Sequence, residues 1–171
     1  MNKRIIALIG PMAAGKTTIG KRLGQDLGLP FYDSDIVIAE RCQQSVSEIF
    51  ATQGEAYFRH QESQVIAELC RQSDIILATG GGAIQFVGNR TALTQHCWVV
   101  YLKISLAAQL ARTAGDFTRP LLQVPDKQEK LGELQSIREP LYTSIAHHTL
   151  EVSELSPGEV CANILRNIQA R

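Results

Sequence analysis

The chain has 171 residues, enough for one domain with a substantial core and too few for two ordinary ones. Lysine plus arginine and aspartate plus glutamate each total 17, so the formal net charge is +0. That balance argues against a nucleic-acid binder working through a basic face and against attraction to an anionic membrane, so positive charge has to be sought at a local site.

The first residues, Met1-Asn2-Lys3-Arg4, lead into the apolar run Ile5–Ile9. The run is too short for a secretory signal, and no stretch approaches the ~20 apolar residues of a membrane span, so a cytoplasmic protein is expected. The run reads as a strand and opens directly into Gly10-Pro11-Met12-Ala13-Ala14-Gly15-Lys16-Thr17, which fits GxxxxGK[ST]. Ile19, Leu23 and Leu27 then recur at helical spacing. A glycine-rich turn between a buried strand and an amphipathic helix is the P-loop context. Backbone N–H groups converge on phosphate oxygens there, and the helix N-terminus adds its positive dipole end. Ala13, Ala14, Gly15, Lys16, Thr17 and Thr18 are therefore the expected nucleotide cradle. Lys16 should reach the β- and γ-phosphates, and the Thr17 hydroxyl should bind Mg²⁺.

The weaker run Pro30–Tyr32 is a second predicted strand and leads into Asp33-Ser34-Asp35. Asp33 or Ser34 could cap the following helix. Beside a P-loop, the two carboxylates could instead divide the work, Asp33 steering the Mg²⁺ hydration shell and Asp35 accepting a hydrogen bond from an attacking hydroxyl. Ser45 and Glu48 form a predicted capping box. Phe58, Val65, Ile66 and Leu69 mark another helix, on which Arg59 and Glu62 share a face and could form a surface pair. Ile75–Ala78 reads as a strand followed by Thr79-Gly80-Gly81-Gly82, where three glycines suggest close approach of backbone to a ligand.

Trp98–Leu102 is the fourth predicted strand, with Trp98 expected in the core. Residues 115–127 (GDFTRPLLQVPDK), which include Arg119, lack periodicity and could be a functional lid or a passive loop. Glu129, Glu133 and Glu139 read as a solvated helix face, and Arg138 stands in Arg138-Glu139-Pro140-Leu141-Tyr142. His147 and His148 open a fifth strand, His148–Val152, and read as local structure. Val160, Ile164 and Ile168 mark the last helix. The cysteines Cys42, Cys70, Cys97 and Cys161 are scattered, are expected to be reduced and apolar, and share no zinc-ligand spacing with the histidines. Short strands alternating with helices imply a parallel sheet in a three-layer α/β sandwich, with strands buried on both faces.

Together the P-loop, Asp-Ser-Asp, Phe-Arg-x-x-Glu, Gly-Gly-Gly, Arg-Pro-Leu-Leu and Arg-Glu-Pro-Leu-Tyr resemble the shikimate kinase family over essentially the whole chain. The resemblance implies a single P-loop kinase domain over 1–171, like the nucleoside monophosphate kinases, with five strands in the order 2-3-1-4-5. It implies transfer from ATP to the 3-hydroxyl of shikimate, Mg²⁺ held near Thr17 and Asp33, and a monomer that contacts neither nucleic acid nor membrane. By the same resemblance Asp35, Arg59, Gly81 and Arg138 bind shikimate, with Asp35 as base, and residues of about 33–62 form the shikimate-binding region. Arg119 would ride on a lid of about 115–127 and touch the ATP phosphates, while Arg112 and Ser153–Pro157 would border adenine. Arginine forks suit a carboxylate substrate, because guanidinium pairs with it bidentately. Ala13 departs from the family, which usually carries glycine there; if the position needs a positive φ, alanine costs ~1 kcal/mol or more. The alternatives are a gluconate kinase, an adenylate-kinase-like nucleotide kinase or a non-catalytic nucleotide-binding module. Against the last, Lys16, Thr17, Asp35 and Arg119 are all present.

Overall fold

Alternation along the central strands explains the layers. In the computed structural model, which describes residues 5–170, strand β1 (Ile5–Ile9) sends Ile5, Ala7 and Ile9 into one core and Ile6 and Leu8 into another. Strand β2 covers Phe31–Asp33, β3 Ile75–Ala78, β4 Trp98–Lys103 and β5 His148–Glu151. Helices α1 (Lys16–Leu27), α2 (Ser34–Cys42), α3 (Val46–Gln53), α4 (Glu55–Leu69), α5 (Val87–His96), α6 (Leu106–Thr113), α7 (Lys127–Ile145) and α8 (Pro157–Gln169) fill the connections. All strand pairs are parallel and the order is β2-β3-β1-β4-β5, as the resemblance implied.

The first core gathers Phe58, Val65, Ile66 and Leu69 of α4, Leu93 of α5 and Tyr142 of α7 against β1, β3 and β4. The second gathers Ile19 and Leu23 of α1 and Val160, Cys161 and Ile164 of α8 against the opposite face. Each such fully buried Leu, Ile or Val stabilises the fold by roughly 1.5–3 kcal/mol relative to exposure. A smaller cluster of Met12, Leu122 and Leu131 fastens the P-loop to segment 115–127 and to α7. That segment contains a 3₁₀ turn at Pro120–Leu122, whose Leu122 is buried.

Several expectations need correction. Strand β2 starts one residue later than the apolar run, and β5 ends one residue before it. The edges of the sheet do not bury both faces: β5 exposes Thr149 and Glu151, because α8 covers one side only. Trp98 lies at the rim of the second core, half-buried and stacked on His148 with ring centroids 6.0 Å apart. Glu139 does not belong to a solvated face; it pairs with Lys103 and accepts from Gln135 Nε2 at 3.2 Å. The Ser45–Glu48 capping box forms, and Ser156 with Glu159 builds a second one that opens α8. Among the described residues no helix is long and apolar enough to cross a membrane.

Candidate active site

Strand order reverses at β1, which lies between β3 and β4, and the crevice above the carboxyl ends of the strands is where ligands of such sheets bind. The P-loop occupies that crevice. Gly10 has φ 146 and stands so close to the Leu102 carbonyl that no Cβ would fit. Gly15, at φ 92, is the N-cap of α1 and brings no side chain to cover the helix N-terminus. Ala13 sits at φ 66, the left-handed conformation foreseen for a position where alanine replaces glycine. Lys16 folds over this loop and donates to the carbonyls of Gly10 at 2.7 Å and Pro11 at 2.8 Å. Burial pulls its pKa down to about 8, against the opposing attraction of Asp35.

Asp33 caps α2 and also reaches across to the P-loop. As N-cap of α2, its Oδ1 accepts from the amides of Asp35 at 3.0 Å and Ile36 at 3.4 Å. Its Oδ2 accepts from the Thr17 hydroxyl at 2.6 Å. Two hard oxygen donors from separate elements thus meet at the mouth of the P-loop, a donor set suited to Mg²⁺. Capping also aims the next carboxylate: Asp35, on the first turn of α2, enters the cavity, and its Oδ1 is buried with no hydrogen-bond partner among the described residues. Burial, reinforced by the nearby charge of Asp33, raises the Asp35 pKa, while Lys16 and Arg59 oppose the rise.

Two cavities meet at Asp35. The first, about 460 Å³, is lined by Ala13, Gly15, Lys16, Thr17, Thr18, Asp33 and Arg112. The second, about 220 Å³, has an apolar wall of Val46, Phe50 and Phe58 and a polar wall of Arg59, Glu62 and Arg138. Met12, Asp35, Gly80, Gly81 and Arg119 line both. A hollow of about 350 Å³ extends past Ala14 and Arg112 to Leu155, Pro157 and Val160. Arg112 is tied down there by bonds to the carbonyls of Ala13, Val152 and Ser153 at 3.0, 3.3 and 3.2 Å. The expected nucleotide, metal and substrate residues 13–18, Asp33, Asp35, Arg59, Gly81, Arg112, Arg119 and Arg138 therefore border one connected region.

The expected surface pair on α4 is a buried one. Glu62 is 1% exposed and accepts from Arg59 Nη1 at 2.8 Å, while its second oxygen has no hydrogen-bond partner among the described residues. Burial drives the Glu62 pKa up to about 7 despite the opposing Arg59 charge. For Arg59, burial works against the charge, but Glu62 and Glu55 outweigh it and the pKa is raised. The glycine triplet serves this polar cluster as well as the cavity wall. A Cβ on Gly80 would meet Asp35 Oδ1 at 2.7 Å and Glu62 Oε1 at 2.8 Å, and one on Gly82 would collide with the Arg59 guanidinium. Arg138 is 4% exposed, and its pKa is lowered by burial. Arg119, on segment 115–127, donates through Nε to Asp116 at 2.7 Å.

Met12, Gln85, Glu62 and Asp116 were not singled out as site residues by the sequence. Only Glu62 carried a usable signal, its place in Phe-Arg-x-x-Glu on the face of Arg59. A family profile described as Shikimate kinase matches residues 12–169. A shikimate kinase of Legionella pneumophila (strain Corby) is 47% identical over 95% of this chain and 93% of its own length. One from Xanthomonas campestris pv. campestris (strain 8004) is 43% identical over 97% and 92%. Among solved structures, the shikimate kinase of Acinetobacter baumannii in complex with shikimate superposes with a TM-score of 0.95 at 42% identity, covering 98% of this chain and 94% of that one.

Proposed function

The chain belongs to the shikimate kinase family, and from that premise we propose that it moves the γ-phosphoryl group of ATP to the 3-hydroxyl of shikimate, a step of aromatic amino-acid biosynthesis. The observation that carries this reading is the junction of a P-loop cavity with a smaller, arginine-walled cavity at Asp35 and Arg119. A donor and an acceptor held on opposite sides of that junction react without diffusing, which is most of what phosphoryl transfer requires.

On the donor side, the amides of residues 13–18 and Lys16 hold the triphosphate, and the hollow beside Arg112 takes adenine. Thr17 and Asp33 would hold Mg²⁺ or its bound waters, and the ion would supply neutralisation of phosphate charge. On the acceptor side, Arg59 and Arg138 receive the substrate carboxylate, Gly81 lies against the ring, and the apolar wall covers its carbon face. Asp35 orients the 3-hydroxyl. As that oxygen bonds to the γ-phosphorus, the bond to the bridging oxygen of ADP breaks and the hydroxyl proton passes late to Asp35. Segment 115–127 acts as a lid whose closure excludes water and brings Arg119 to the transferring group. All these groups come from one chain, so the reading needs no second subunit and a monomer is proposed, and ATP and free thiols suit the cytoplasm.

The test is a coupled ADP-release assay with shikimate, gluconate, AMP and no acceptor. Turnover with shikimate alone is expected; equal turnover with gluconate or AMP would reassign the acceptor, and ADP release without any acceptor would make the chain an ATPase.

A further inference from the structure

Three arginines line the acceptor cavity, and they differ in how their charge is balanced. Arg59 faces Glu62 at 2.8 Å and Glu55 at 3.3 Å, and Arg119 faces Asp116 at 2.7 Å. Arg138 has no carboxylate within 4.0 Å among the described residues, although it is the most deeply buried of the three. Its Nε instead donates to a neutral amide oxygen, Gln85 Oε1, at 3.1 Å. The Tyr142 hydroxyl beside it is also neutral and donates to the Gly81 carbonyl at 2.5 Å.

Gln85 is an exposed residue whose backbone is held in place. It ends the 3₁₀ turn Ala83–Gln85 directly after the glycine triplet. Asn89 Nδ2 donates to the Ala83 carbonyl at 3.0 Å, and Arg90 Nη1 donates to the carbonyls of Ile84 at 2.8 Å and Gln85 at 3.0 Å. With Nε tethered, the guanidinium plane of Arg138 is set and its Nη1 lies near Gly81. Glu62 and Glu55 attract Arg138 only from beyond contact distance, and a buried cation without a contacting counter-charge is expensive to maintain, a cost that a ligand anion entering the cavity relieves.

We propose that Gln85 is a positioning residue for Arg138, and that its neutrality keeps this guanidinium free of a contacting carboxylate so that it becomes the dominant anchor of the substrate carboxylate. A carboxylate at position 85 would satisfy Arg138 from within the protein and compete with the substrate. An amide orients the fork without neutralising it. This rests on the shikimate kinase reading and adds a division of labour: Arg138 supplies attraction, while Arg59, already paired, supplies shape and a hydrogen-bonding edge.

The experiment compares Gln85→Glu and Gln85→Ala with the native chain in steady-state kinetics, varying shikimate and ATP separately between pH 5 and 8. Gln85→Glu is expected to raise KM for shikimate about 30-fold at pH 7.5, with kcat and KM for ATP within about 3-fold, since hydrogen bonds to charged groups are strong. Gln85→Ala, which loses orientation but adds no charge, is expected to raise it only about 5-fold. Both defects should persist from pH 8 down to pH 5, because a carboxyl paired with the Arg138 guanidinium stays ionised across that range. Equal KM values for the two variants at every pH would overturn the role of neutrality, and an unchanged KM in Gln85→Ala would overturn the tether. If Gln85→Glu fails to fold by circular dichroism, Gln85→Ala alone decides the tether and Gln85→Met, uncharged and of similar length, replaces it as the second variant. With neutrality the only requirement it keeps, Gln85→Met must then match Gln85→Ala, and a KM rise beyond 30-fold would overturn the proposal. A native chain that does not turn over shikimate would sink the family reading instead, so the two failures are distinct.

Discussion

The two cavities that meet at Asp35 are made of different material. The nucleotide side is mostly main chain: amides of a glycine turn, a helix N-terminus, and one lysine folded onto carbonyls. The acceptor side is mostly side chain, with Arg59, Glu62 and Arg138 drawn from two helices and given room by glycines. A backbone cradle is set by local geometry and binds a group common to every nucleotide. A side-chain cluster has to balance its own buried charges before a ligand arrives, and that balance is what makes it selective. Glu62 and Asp35, both held protonated more readily than usual by burial, record the strain of the second design.

The sharpest way to break this contrast is Arg119, which lines both cavities. For Arg119→Ala we expect kcat to fall about 10³-fold, as for an arginine finger supplied within one chain, while KM for ATP changes far less. Near-normal turnover, measured by coupled ADP release, would remove Arg119 from the reaction and leave the halves without a shared cation.

A smaller effect tests the charge strain itself. The Glu62 pKa stands at about 7 against an ordinary value of 4.5, so between those pH values the folded chain binds a proton that the unfolded chain has released. Stability should therefore fall as pH rises through that window, by about 3 kcal/mol at most at 1.36 kcal/mol per unit. Asp35 slopes the same way, so the quantity to measure is the difference between the native chain and Glu62→Gln in denaturant melts across that range. Glu62→Gln should flatten the slope; parallel curves for the two proteins would show that Glu62 is not buried as a titrating acid.

The smallest effect belongs to the backbone half. Ala13 at φ 66 carries a left-handed penalty of ~1 kcal/mol or more, and glycine would relieve it while loosening the unfolded chain by roughly 0.4–1 kcal/mol. Ala13→Gly should shift stability by less than about 1 kcal/mol and ATP affinity only slightly, with kcat within about 2-fold. A large change in kcat would mean that the P-loop couples to chemistry through its strain.

The sequence by itself determined the strands and the donor half, because both are local. A run such as Ile5–Ile9 is apolar at every position since neighbours on both faces bury it, and a P-loop is eight consecutive residues whose function lies in their own backbone. Asp35 was legible from its place beside the P-loop, while Arg59 and Arg138 were legible only as parts of family motifs, since one arginine on a helix looks like any other. What the tertiary structure alone decided was which charges are buried and which are paired. Glu62 passed for a surface partner until packing buried its side of α4, Trp98 passed for core until β5 proved to be a half-covered edge, and Gln85 gave no signal at all. Charge compensation depends on distances between residues as far apart as Gln85 and Arg138, and only the packed fold brings those distances into existence.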